Sequence, residues 1–234
     1  MKLGKSIIAP TIICALTTVF TNSCSNVSVE KLDEKQIVLN KLQNDEYCKT
    51  HSEIEKIMDY RNATNKSDNF IVIDKNNCTS VVYNSQGDTL YINEVLLGKS
   101  IGDNKSIADN YTPAGEFTIV GKDKDYGEKN TKLYSHRLLP IIGDIKPSPD
   151  KFLALHQIPS TVQQIRSKNL HNNILEDNRV TNGCVNYSIN DYDNMISYIK
   201  GDDTNVYILP EEKDNFLKVI KSFWGNHMLK QDKY

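Results

Sequence analysis

The residues of this chain most able to do covalent chemistry are Cys184 and His156. Cys184 stands in the run Val180-Thr181-Asn182-Gly183-Cys184-Val185-Asn186-Tyr187-Ser188. A glycine before a cysteine lets the backbone turn tightly, so that consecutive N–H groups can face a substrate oxygen. A cysteine nucleophile also needs a base or positive partner, because the thiolate is the reactive form. His156 closes the apolar segment Phe152-Leu153-Ala154-Leu155, and an imidazole at a strand end is held by the scaffold just where a loop begins. His136, His171, His51 and His227 are rival bases by composition, but none follows so clear a strand. The pair alone leaves a bland reading open, since buried cysteines are commonly inert and a strand-end histidine is often structural. A metal site of Cys184, His156 and His136 lacks tight ligand spacing, and no cofactor motif is present.

Three elements in order carry a family resemblance. Thr181-Asn182-Gly183-Cys184-Val185-Asn186 resembles the L,D-transpeptidase (YkuD-like) signature: Ser or Thr, His or Arg, Gly, Cys, an apolar residue, then Asn or Arg. His156 with Pro159 is similar to that family's upstream histidine segment. Thr112-Pro113-Ala114-Gly115-Glu116-Phe117 is similar to its Thr-Pro-x-Gly-x-Phe element. The similarity runs from about Phe70 to Pro210.

The resemblance implies a peptidoglycan L,D-transpeptidase that needs no cofactor. Cys184 would be the nucleophile, with its thiol lowered toward neutrality, and His156 the base, oriented by a backbone carbonyl near Gln157. The N–H groups of Gly183 and Cys184 would form the oxyanion site. Thr181 and Asn186 would shape the loop, although Asn186 reads equally as an ordinary turn residue. The thiolate would attack the bond between the third residue of a stem peptide and its terminal D-alanine, and an amine of a second stem would resolve the thioester as a crosslink. Two alternatives stay open: a carboxypeptidase or other hydrolase using the same pair, and a catalytically weak cell-wall-binding lipoprotein. Asn182, where the family has His or Arg, is the best argument for the last. The stretch from His156 to Thr181 is also longer than the family's, which implies an inserted helix or lid over Ser160–Ile174 with Val162 and Ile165 facing inward. Arg137 and Arg179 are candidate carboxylate binders, or ordinary solvated arginines.

Something rigid must position these residues. Phe70–Ile73, Ser80–Tyr83, Leu90–Ile92, Glu116–Val120, Phe152–His156 and Asn205–Leu209 are short β-branched or aromatic runs separated by turn-forming stretches. They predict a mainly β sandwich or barrel with flanking helices, α+β overall, over residues 67–210. Gly143–Pro149 reads as a loop. Spaced apolar residues predict helices around Leu32–Leu42 and Ile54–Met58, within a linker and helical region of residues 24–66. A further helix at Asp191–Ile199 would present Met195, Ile196 and Ile199. Phe216, Val219, Ile220 and Phe223 predict an amphipathic helix packed on the domain over residues 211–234.

The 234 residues are 38% hydrophobic and 25% charged, and 28 basic against 30 acidic side chains give a net charge of −2. That balance offers nothing to neutralise phosphates, which argues against a nucleic-acid partner. Lys2 and Lys5 precede an apolar run from Ile7 to Phe20, the pattern of a signal peptide over residues 1–23. The chain is therefore expected in the periplasm or cell envelope, with peptidoglycan stem peptides as partners. Of the five cysteines, Cys14 would be removed with the signal, and Cys48 and Cys78 are a candidate disulfide in an oxidising compartment. Cys24, in Thr21-Asn22-Ser23-Cys24, is a candidate lipidation site that would attach the chain to a membrane. Metabolic fatty-acid labelling is expected to depend on Cys24, and label that survives Cys24→Ser would remove this reading.

Overall fold

The computed structural model describes residues 45–103, 109–121, 124–125, 137–143, 145, 152–170, 172 and 174–212. The chain divides into two units, 1–48 and 49–234. Of the first, only the opening turn of a helix is described. The signal peptide, Cys24, the helix expected near Leu32 and the one expected at Phe216 all lie outside the described residues.

In the second unit each of the six short runs forms a strand. After helix α1 (Asp45–Ala63) come β1 (Phe70–Asp74), β2 (Thr79–Tyr83), β3 (Thr89–Glu94), β4 (Leu97–Gly98), β5 (Gly115–Ile119), β6 (Lys124–Asp125), β7 (Arg137–Gly143) and β8 (Leu153–Gln157). Helix α2 (Gln163–Leu170), β9 (Arg179–Thr181), β10 (Val185–Tyr187), α3 (Ile189–Ser197) and β11 (Asn205–Ile208) follow. One nine-stranded sheet runs β10-β8-β7-β5-β11-β1-β2-β3, with β6 joined to β7. Just past β3, Leu96 exchanges two backbone hydrogen bonds of 2.9 Å with Asn186 of β10. The two ends of the sheet thus meet, and the sheet forms a nearly closed barrel in a mainly β fold with a few helices.

Burial explains the sequence of β1. All five of its residues are buried, because both faces are covered. Ile71 and Ile73 join Val82, Phe117, Leu139, Leu155, Val185 and Val206 inside the barrel. Phe70 and Val72 lie on the other face, under Ile54, Ile57 and Tyr60 of α1. A strand covered on both faces reads as a continuous apolar run rather than an alternating one. Arg61, at the end of α1, is also buried, with its guanidinium 4.1 Å from the centre of the Phe70 ring. It donates to Tyr207 Oη at 3.4 Å and to Asn205 Oδ1 at 3.3 Å, so the helix is tied to β11 as well as to β1.

Helix α3 buries Tyr192 and Met195 completely and packs Ile196 against the same core, with Ile199 just beyond the helix. Its N-cap is Ser188, whose Oγ accepts from Asp191 N at 3.1 Å.

Strand β7 was not expected. Pro140 interrupts its sequence, and proline is rare inside sheets because it lacks a donor. Here Val120 N donates to Pro140 O at 2.9 Å, and the missing return bond falls in the gap between β5 and β6, which pair with β7 on either side of it. Gly143 ends this strand, and most of the rest of the loop expected over Gly143–Pro149 lies outside the described residues.

Ile57 is fully buried between α1 and the sheet. Ile57→Ala should therefore destabilise the protein by about 2–5 kcal/mol, measured by equilibrium urea unfolding. A change near zero would mean that α1 is not docked in solution.

Candidate active site

The site lies where β8 and β10 run side by side. They pair in parallel, with Val185 opposite Leu155, Asn186 opposite His156 and Tyr187 opposite Gln157. Continuing that register, Cys184 lies opposite Ala154, so alternate residues put Cys184, Asn186 and His156 on one face. His156 is 3% exposed and Asn186 fully buried, whereas Cys184 is half-buried. The Cys184 thiol donates to Phe152 O at 3.6 Å.

A chain of hydrogen bonds fixes the imidazole. His156 Nδ1 is 2.7 Å from the carbonyl oxygen of Gln157. Asn186 Nδ2 is 2.8 Å from His156 Nε2, and Arg166 Nη1 donates to Asn186 Oδ1 at 2.7 Å. A guanidinium can only donate and a carbonyl can only accept. The two ends of the chain therefore determine its middle: the amide donates to Nε2, and Nδ1 carries the proton. His156 is a neutral imidazole whose lone pair is at Nε2.

The cysteine loop is braced from inside. Gly183 has φ of 120°, in the region that favours glycine. Thr112 Oγ1 donates to Gly183 O at 2.9 Å and accepts from Gly98 N at 2.8 Å. Gly98 has no room for a side chain, since a Cβ there would lie 2.2 Å from Asn110 O. Thr181 Oγ1 donates to Cys184 O at 2.6 Å and accepts from Gly183 N at 3.1 Å. The Gly183 N–H expected at an oxyanion site is thus engaged within the loop. Asn182 is exposed.

Electrostatics depart from the expectation of a thiol near neutrality. Burial pushes the Cys184 thiol up to about 11, against smaller opposing effects of the Ala154 backbone and the Arg166 cation. Burial likewise holds His156 down to about 4; the Gln157 carbonyl opposes this and Arg166 reinforces it. Both shifts favour a neutral thiol and a neutral imidazole at rest, because burial disfavours the charged form of each.

Other sequence expectations are redistributed. Arg179 pairs with Glu211 and donates to Lys75 O, while Arg137 pairs with Asp193, so both arginines have protein partners. Gln157 meets the site through its backbone, and its side chain donates to Asp193 Oδ1 at 3.2 Å. Cys78 is a free, buried thiol 3.7 Å from Lys75 O. The side chains of Cys48 and His51 lie outside the described residues, as do His136, His171 and His227.

The Ser160–Ile174 segment holds a 3-10 turn and α2, but Ile165 does not face inward; it is 69% exposed. Leu170 anchors the helix against Leu96 and Ile158, with Val162 alongside. Arg166, one turn before Leu170, shares that inward face and was not singled out from sequence. The i, i+4 spacing to Leu170 was the available signal.

A family model described as the L,D-transpeptidase catalytic domain (YkuD) matches residues 68–208. No curated protein matches the chain. Solved structures with similarity include Bd1075 of Bdellovibrio bacteriovorus, at 18% identity over 69% of this chain and 56% of that one, with a TM-score of 0.42. The helical cell shape determining protein Pgp2 of Campylobacter jejuni is 18% identical over 62% of this chain and 49% of its own, with a TM-score of 0.44. An Enterococcus faecium L,D-transpeptidase is 18% identical over 61% of this chain and 50% of its own, with a TM-score of 0.40. This chain thus spans about half the length of these structures.

A thiol held high ionises late. Alkylation of Cys184 by a small neutral reagent, followed by peptide mapping, should rise about tenfold per pH unit and still be rising past about pH 9. A plateau reached by about pH 8 would contradict the environment described.

Proposed function

Because the chain belongs to the L,D-transpeptidase catalytic domain family, we propose that it is a peptidoglycan L,D-transpeptidase joining the third residues of two stem peptides through a thioester on Cys184. The observation that carries this reading is the parallel register of β8 and β10, with Cys184 and His156 on one face. The expected home of the protein is the periplasm or cell envelope, where such substrates lie.

The chemistry follows from the side chains present. Of the two imidazole nitrogens, Nδ1 holds a proton against Gln157 O, so Nε2 is the atom that takes the proton of Cys184. In the resting site Nε2 receives the Asn186 amide, and proton transfer requires that amide to yield. The thiolate then adds to the carbonyl carbon between the third residue and D-alanine. With Gly183 N–H engaged by Thr181, the oxyanion role is assigned to the N–H of Cys184. Collapse of the adduct breaks the C–N bond, the leaving amine of D-alanine takes the proton from His156, and the thioester remains. A side-chain amine of a second stem attacks the thioester, loses its proton to His156, and leaves an amide crosslink and a free thiol. Bringing two neutral groups to the reacting pair, rather than starting from an ion pair, makes substrate binding part of activation.

The test supplies a stem tetrapeptide with excess acceptor stem and identifies the products by mass spectrometry. Crosslinked dimer and free D-alanine are expected. Tripeptide alone at every acceptor concentration would make the protein a carboxypeptidase. Absence of turnover with an intact fold would leave the cell-wall-binding reading. His156→Ala should lower acylation by about 10²–10⁴, and Cys184→Ala should abolish the thioester.

A further inference from the structure

Arg166 lies on α2, in the long stretch between the histidine and the cysteine motif. Its Nη1 holds Asn186 Oδ1 at 2.7 Å, and its Nη2 reaches Val180 O at 3.3 Å. The guanidinium thereby spans β9 and β10, the strands on either side of the Cys184 loop. Nothing in the motif itself supplies this cation, since Asn182 occupies the position where the family has His or Arg.

We propose that Arg166 is a positioning residue that makes His156 a conditional base: by holding Asn186 Oδ1 it turns the amide nitrogen toward Nε2 and keeps the imidazole neutral. Donors and acceptors set the constraint. An imidazolium carries N–H at both nitrogens. Its Nδ1–H would still be satisfied by Gln157 O, but its Nε2–H would point at the amide N–H of Asn186. Two donors facing each other inside a buried site are costly. The amide could accept from Nε2–H only by turning its oxygen inward, and that oxygen is bound by Arg166. His156 can therefore hold a second proton only when Arg166 releases Asn186.

Among the described residues, the groups facing the ring come from three elements beside its own strand. Asn186 of β10 and Cys184 just before it lie across the sheet, Leu138 of β7 is the opposite neighbour, and Arg166 comes from α2. Arg137 and Asp193, beyond Gln157, neutralise each other. Arg166 is the charged side chain that acts directly on both His156 and Cys184.

The inference rests on the proposed function for its mechanistic meaning, but its test needs no substrate. Nitrogen-15 NMR of histidine-labelled full-length protein would follow the two ring nitrogens of His156 with pH. In the intact protein, a protonated Nδ1 and an unprotonated Nε2 are expected well below the ordinary histidine range. Arg166→Ala should shift the titration upward by about one unit or more, because the amide is then free to turn. Arg166→Lys, another side chain that only donates, should restore the low value. Asn186→Asp should raise the titration whichever residue stands at 166, since a carboxylate accepts from Nε2–H directly. An Arg166→Ala protein that titrates like the parent would overturn the proposal. So would an intact protein whose His156 binds its second proton near pH 6.5, an observation available even if the alanine variant does not fold. Turnover of stem peptides tests the proposed function separately, and either result can fail without the other.

Discussion

Asn186 is the point on which the barrel and the site both depend. Through its backbone it exchanges two hydrogen bonds with Leu96 and so brings the two ends of the sheet together. Through its side chain it meets His156 on one side and Arg166 on the other. A residue that closes the sheet cannot drift relative to it, so the imidazole is oriented by the same constraint that defines the barrel. The turn at Gly183 shares in this, since it is tied to strands at both ends and to Thr112 in the middle. Preorganisation of this kind comes from supporting bonds rather than from the reacting groups themselves.

The same arrangement explains the electrical character of the resting site. Burial raises the thiol and lowers the imidazole, so each stays in its uncharged form. An uncharged thiol is a weaker nucleophile than a thiolate, so the resting pair reacts slowly with electrophiles. It also lacks the strong field that a thiolate and imidazolium would impose on the strands around them. Reactivity is then tied to events that change the surroundings of the pair, such as movement of the Asn186 amide.

Much of this was legible in the residues. The short apolar runs became strands because β-branched and aromatic side chains suit covered sheets, and the 3.6-residue spacing around Met195 became a helix with that face inward. Strand β7 was obscured by Pro140, whose missing donor matters only if a partner strand continues beside it. Here it falls in the gap between β5 and β6. Thr112 was legible as part of a motif, but its hydroxyl bonds to Gly98 and Gly183 link segments far apart in the chain, and no local pattern reports such a contact. Arg166 was hidden for a similar reason. On α2 it looks like a solvated basic residue, as Lys168 does, and only the packing of Leu170 turns it toward the site. Ile165 erred the other way, since an apolar residue in a short helix suggests a buried face that the anchoring of Leu170 and Val162 assigns elsewhere.

The parallel pairing of β1 with β11 has a consequence for how the chain must fold. Ile71, Val72 and Ile73 align with Val206, Tyr207 and Ile208, so the first and last strands of the domain are neighbours in the middle of its sheet. Closing that contact encloses nearly the whole domain in one loop, and such long-range pairing is slow to form. No amino-terminal portion can complete a core by itself, because Phe70 and Val72 need Tyr207 and Leu209 beside them under α1. The β1–β11 contact can form only once Asn205–Ile208 is present, so the middle of the sheet is completed by the most distant segments of the domain.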